Sequence, residues 1–86
     1  MDLDGEHIDV RERLVTSPAA GTFVPLDSPP QHVEVDDVVG HVLTSDAVVV
    51  VRSAFRGRVV EVVATAGQRL RPYERVAWLR VVSETA

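Results

Sequence analysis

Apolar and polar positions alternate along this chain in short bursts, and each burst is closed by a glycine, a proline or a pair of polar residues. Val33, Val35 and Val38 alternate with Glu34 and Asp36-Asp37, the pattern of a half-buried strand running into an acidic turn. Val42-Leu43 and Val48-Val49-Val50-Val51 flank the polar break Thr44-Ser45-Asp46-Ala47, which predicts a tight β-hairpin with those four residues at its tip. Further strands are predicted from Leu14, over Val59–Val63, at Leu70 and over Val76–Val82, with turns at Phe55–Arg58, Ala66–Gln68 and Arg71–Arg75. In Ser17–Val24, Pro18 and Gly21 point to a bend or bulge at a sheet edge. In Pro25–Gln31, three prolines enforce extended or turned backbone. No stretch carries a helical period, so the chain reads as all-β. Residues 1–10 are expected to be a flexible tail, residues 11–84 a single β domain, and residues 25–32 a protruding loop. The expected core is Val15, Phe23, Val35, Val38, Leu43, Val49, Val51, Val60, Val62, Leu70, Val76 and Leu79, with Trp78 also placed inside.

The chain also repeats itself. Ser17-Pro18-Ala19-Ala20-Gly21-Thr22-Phe23-Val24 aligns with Ser53-Ala54-Phe55-Arg56-Gly57-Arg58-Val59-Val60, and Val35–Val39 is matched to Ala66–Leu70. Two interlocked copies of one motif would close a flattened barrel.

Composition removes several classes of function. The 86 residues contain no cysteine, so neither disulfides nor thiolate metal sites hold the fold. A net charge of −4 with scattered basic residues gives no footprint for nucleic acid. No apolar run reaches the roughly 18–20 residues of a membrane span, so a cytoplasmic location is expected. All nine basic residues are arginine, amid abundant valine and alanine, which is the usage expected of a GC-rich, actinobacterial source.

Leu14–Phe23, Val51–Val62 and Ala66–Leu70 together resemble the biotinyl/lipoyl attachment domain, and most of all the biotin carboxyl carrier type. The resemblance covers roughly residues 14–82 and implies a barrel-sandwich hybrid of two quasi-symmetric four-stranded antiparallel sheets. It places the proline-rich loop where bacterial biotin carriers have a thumb leaning over the hairpin tip. It also places Asp46 where those carriers have the acceptor lysine. The chain contains no lysine at all, which excludes amide-linked biotin or lipoate, because a permanently protonated arginine is no substitute nucleophile. No cofactor is therefore expected.

Asp46, His32 and His41 remain as candidate catalytic residues. Histidine suits proton transfer near neutrality, and a carboxylate bonded to one ring nitrogen fixes the tautomer of the other. A thumb folded over the tip would bring His32 to Asp46; otherwise His41, at the foot of the hairpin, would supply the ring. All three residues also read as ordinary turn residues. Arg52, Arg56 and Arg58 are candidates for holding a phosphate, and the irregularly spaced histidines make no metal site.

The expectation drawn from these residues is a carrier fold turned to acid–base chemistry, a polyketide cyclase closing a pyrone-type ring on a small-molecule or carrier-bound acyl or polyketide substrate. An acyl-chain-handling synthase or a carboxylase subunit would then be the partner. The alternative is a non-catalytic pseudo-carrier, an accessory subunit of a biotin-dependent carboxylase or acyltransferase complex. No nucleic acid or membrane partner is expected.

Overall fold

Eight strands follow one another in the computed structural model, which describes residues 7–85: β1 (His7–Thr16), β2 (Gly21–Pro25), β3 (His32–Val33), β4 (Val38–Leu43), β5 (Val48–Arg52), β6 (Gly57–Val62), β7 (Arg69–Leu70) and β8 (Arg75–Thr85). They pair into two four-stranded antiparallel sheets, one in the order β1-β8-β6-β3 and the other β5-β4-β2-β7. Exchanging β1–β4 for β5–β8 turns one order into the other, so the repeat seen in the sequence is a symmetry of the topology. No helix occurs among the described residues, and none is long and apolar enough to cross a membrane.

The symmetry extends to individual bonds. Buried Ser17 and Ser53 hold equivalent corners. Ser17 Oγ donates to the Ala19 carbonyl at 2.7 Å, and Ser53 Oγ donates to that of Phe55 at 2.6 Å. Each serine also ties down a turn of the opposite half, because the Ser17 carbonyl accepts from Tyr73 N–H and the Ser53 carbonyl from Asp36 N–H, both at 2.7 Å. Asp36 and Tyr73 are the two non-glycine residues with positive φ among the described residues, at 75° and 68°. The matching of Val35–Val39 to Ala66–Leu70 is thereby corrected. The residue equivalent to Asp36 is Tyr73, and Ala66-Gly67 instead corresponds to the proline-rich stretch. Six residues, 26–31, join β2 to β3, and six, 63–68, join β6 to β7. The proline-rich segment is thus a connection of ordinary length in this fold, and its outer residues, Pro25 and His32, belong to strands.

Between the sheets lie Val15, Phe23, Val33, Val39, Val42, Val51, Ala64, Leu70, Val76, Ala77 and Leu79, with Val59 and Val62 packed against them. Six of the twelve expected core residues are fully buried there: Val15, Phe23, Val51, Leu70, Val76 and Leu79. Val35, Leu43 and Val60 are outside, at 56%, 43% and 49% exposure. Val35 lies in the turn between β3 and β4, and for the two strand residues the reason is parity. The β4–β5 register shifts between Val38 and Gly40, and the β6–β8 register shifts between Val59 and Glu61. One extra residue in a strand sends every later side chain to the other face. Val42 and Val59 therefore point inward in place of Leu43 and Val60. Trp78 is only half-buried and lines a surface cleft with Val60 and Glu61.

Four residues expected in the tail belong to a strand. His7–Val10 continue β1 and pair with Val82–Thr85, while residues 1–6 lie outside the described residues. Beyond the Glu12↔Arg80 pair, β1 and β8 run on as a ribbon of two strands, and the domain reaches 53 Å along its longest axis.

Candidate functional site

The β4–β5 hairpin ends one face of the barrel. Its last strand pair is Leu43↔Val48, and Thr44 N–H donates to the Ala47 carbonyl at 2.9 Å to close the turn over Ser45-Asp46. The Thr44 hydroxyl is the hub of this turn. It accepts Ala47 N–H at 3.0 Å and lies 3.2 Å from Asp46 Oδ1 and 3.1 Å from the Ala47 carbonyl, either of which can take its proton. Asp46 is therefore a residue of the turn itself, exposed and engaged with its own neighbour. Its φ is negative, so its role here is hydrogen bonding and not tolerance of the left-handed region.

Neither histidine is brought to it. Thr22 pairs with Leu43 beside the tip, whereas Pro25 pairs with Gly40. The connection after Pro25 thus leaves sheet β5-β4-β2-β7 from the end away from the tip, about 10 Å along the strand. It delivers His32 to the opposite sheet, against Arg58 of β6. There His32 Nε2 lies 3.3 Å from Glu34 Oε2, both side chains 58% exposed, and Arg56 Nε stands 3.7 Å from the other Glu34 oxygen. The histidine–carboxylate pair that forms is accordingly His32–Glu34. Its signal in the sequence was the i, i+2 spacing, which puts both side chains on one side of an extended chain. His41 sits in the middle of β4 on the outer face, in one row with Val24 and Val50.

What does gather at the tip is a polar cleft of about 400 Å³ lined by Gly21, Thr22, Leu43, Thr44, Ser45 and Arg69. Gly21 is required at its floor, because a Cβ there would stand 2.2 Å from the Leu43 carbonyl oxygen. Arg69 arrives through the Thr22↔Arg69 pair, which joins the two-residue strand β7 to β2. Sequence reasoning passed over Arg69, since nothing local says that so short a strand docks beside the hairpin. Leu43 and Val48 add apolar surface next to the turn, at 43% and 62% exposure. The arginines singled out for phosphate are already engaged in part. Arg52 Nη1 donates to the Asp36 carbonyl at 2.9 Å, and Arg56 faces Glu34. Among the described residues, no three histidine, aspartate or glutamate side chains converge on a metal position.

No known family matches this sequence, and no curated protein matches it. Among solved structures, the fold is similar to part of the urea carboxylase of Kluyveromyces lactis, with a TM-score of 0.71 and 24% identity over 80% of this chain. The chain spans about 6% of the length of that protein. The likeness is one of fold, an all-β barrel-sandwich hybrid of two four-stranded antiparallel sheets.

Proposed function

We propose that this chain is a carrier-fold domain without covalent cargo, acting as a non-catalytic accessory domain that docks on a carboxylase or acyltransferase assembly. One observation carries the reading. The β4–β5 hairpin, shorter than the one that presents the acceptor lysine in the carrier domains this chain resembles, is closed by the Thr44 N–H to Ala47 carbonyl bond, and its tip holds Asp46 beside the Thr44 hydroxyl in a polar turn. A tip that still displays a well-formed surface but offers no amine suits recognition and not transfer. Apolar Leu43 and Val48 beside it are the kind of half-exposed side chains that contribute to a docking face.

A polyketide cyclase using Asp46 with His32 or His41 is the other function open to a lysine-free tip. It draws less support, since Asp46 bonds within its own turn and His32 bonds Glu34 on the other sheet. The test is direct binding, by titration calorimetry, to the purified biotin-dependent carboxylase and acyltransferase subunits of the source organism. Saturable binding that Leu43→Asp with Val48→Asp abolishes is the expected result. Absence of binding to every such subunit, together with turnover of a linear polyketide thioester that Asp46→Asn removes, would replace this reading with the catalytic one.

A further inference from the structure

The two halves of the fold supply an internal control for one surface. The turns Glu34–Asp37 and Arg71–Glu74 share a backbone. In each, the fourth residue's carboxylate accepts the first residue's N–H, Asp37 from Glu34 at 2.9 Å and Glu74 from Arg71 at 2.8 Å. In each, the third residue has positive φ and donates to the buried serine corner. The fold therefore makes the same demand at both places, and Asp36 meets it with a residue type that tolerates the left-handed region. Tyr73 does not. A bulky aromatic at φ 68° is in the strained left-handed region. Tyr73 is 81% exposed, and its side chain has no hydrogen bond or ring contact among the described residues. A strained backbone position given to an exposed aromatic without a packing role points to a use outside the domain.

Charge differs in the same comparison. Where the first half has His32 and Glu34 flanking buried Val33, the second has Arg69 and Arg71 flanking buried Leu70. Arg69 from the strand and Arg71 from the turn after it line the same cleft. Neither has a hydrogen-bond or ion-pair partner among the described residues, although the chain carries a net charge of −4. With Pro72, Tyr73 and Glu74 they line a cleft of about 490 Å³, and the one carboxylate in it already has an oxygen occupied by Arg71 N–H. Strand β7 is the edge of its sheet and runs in the same direction as β4, so this turn stands at the tip end of the barrel.

We infer that the Arg69–Arg71–Tyr73 surface docks an acidic, extended segment of a partner polypeptide. The two guanidinium groups take carboxylates, and Tyr73 packs against the segment as it lies along the open sheet edge. The inference holds whatever partner the hairpin tip itself serves.

The probe is a fluorescein-labelled hexaglutamate peptide, followed by anisotropy at low and at physiological ionic strength, with the ring signals of Tyr73, the chain's sole tyrosine, read by NMR. Expected are saturable binding that weakens with salt, shifted Tyr73 signals, and about 10- to 100-fold weaker binding for Arg69→Gln with Arg71→Gln. Tyr73→Gly is expected to bind about tenfold more weakly while melting at or above the wild-type temperature, since it relieves strain. Asp36→Asn with Asp37→Asn serves as the control and is expected to bind normally. The inference is overturned by absence of binding or by unchanged affinity in the arginine and tyrosine variants. It is also overturned if inorganic phosphate displaces the peptide at similar concentration, which makes the cleft a small-anion site. Sedimentation showing self-association that the Asp36/Asp37 variant removes would overturn it too, by making a second copy the occupant.

Discussion

Replacing Gly21 with alanine tests the packing at the tip most sharply. The added Cβ would lie 2.2 Å from the Leu43 carbonyl oxygen, 2.8 Å from Val42 Cγ1 and 2.9 Å from the Leu43 carbonyl carbon. Two of those atoms are backbone and cannot rotate away, so β2 and β4 must separate beside the Thr22↔Leu43 pair. Overpacking of this kind costs about 1–3 kcal/mol, and a weakened ladder bond adds about 1 kcal/mol. The smaller unfolded-state entropy of alanine offsets roughly 0.4–1 kcal/mol of that. The expected net loss is about 2–3 kcal/mol. An 86-residue domain at about 0.05–0.15 kcal/mol per residue has only about 4–13 kcal/mol in total. The symmetry provides the calibration. At the equivalent Gly57 the Cβ would stand 2.7 Å from the Arg80 carbonyl oxygen and 3.1 Å from Val81 Cγ2, a milder clash, so Gly57→Ala should cost about 1–2 kcal/mol. Gly67→Ala meets nothing within 4 Å and bears only the strain of φ 82°, about 1 kcal/mol. Urea unfolding followed by circular dichroism should rank the three in that order, and Gly21→Ala should melt roughly 10–20 °C lower than wild type. A Gly21→Ala protein as stable as Gly67→Ala would show that the strands at the tip are not so closely apposed, and the argument would fail.

Three further outcomes are expected. Ser17→Ala and Ser53→Ala each remove a buried hydroxyl that both donates and accepts within its corner. Each should cost about 1–3 kcal/mol in urea unfolding, with similar losses at the two equivalent sites; a large inequality would contradict their equivalence. Val42→Asp should abolish cooperative unfolding, because Val42 is fully buried, whereas the neighbouring Leu43→Asp should change stability by under about 1 kcal/mol. The reverse ranking would refute the strand parity. Incubation of the wild-type protein with biotin ligase or lipoate ligase should leave its intact mass unchanged, since no lysine is present to accept either group. A mass increase matching either cofactor would overturn the argument that the tip carries no cargo.

The two equivalent turns, Glu34–Asp37 and Arg71–Glu74, show how the fold divides its labour. Fold requirements are met identically in both halves, by a buried serine, a glycine against a carbonyl and a carboxylate closing a turn. The differences between the halves are therefore informative, because the scaffold does not require them. Tyr73 with Arg69 and Arg71, standing where the other half has Asp36 with His32 and Glu34, is such a difference.

Much of this protein was decided by local chemistry. Short alternating runs ended by glycine and proline determined that it is all-β, the polar break Thr44–Ala47 determined a hairpin, and the repeated Ser-x-x-x-Gly spacing at 17–21 and 53–57 determined two similar halves. The absence of lysine by itself excludes amide-linked biotin or lipoate. Local pattern could not decide parity, because a single inserted residue near Gly40 or Val60 exchanges the two faces of a strand without leaving a mark on composition. Nor could it decide which titratable groups meet. His32 and Asp46 are parted by the β2–β4 register, and His32 instead finds Glu34 two residues on. Arg69 reaches the hairpin only through a two-residue strand paired across some fifty residues of chain, a contact made by backbone hydrogen bonds that any sequence can form. Such long-range pairings are chosen by the closing of the whole barrel, and only the tertiary structure records the choice.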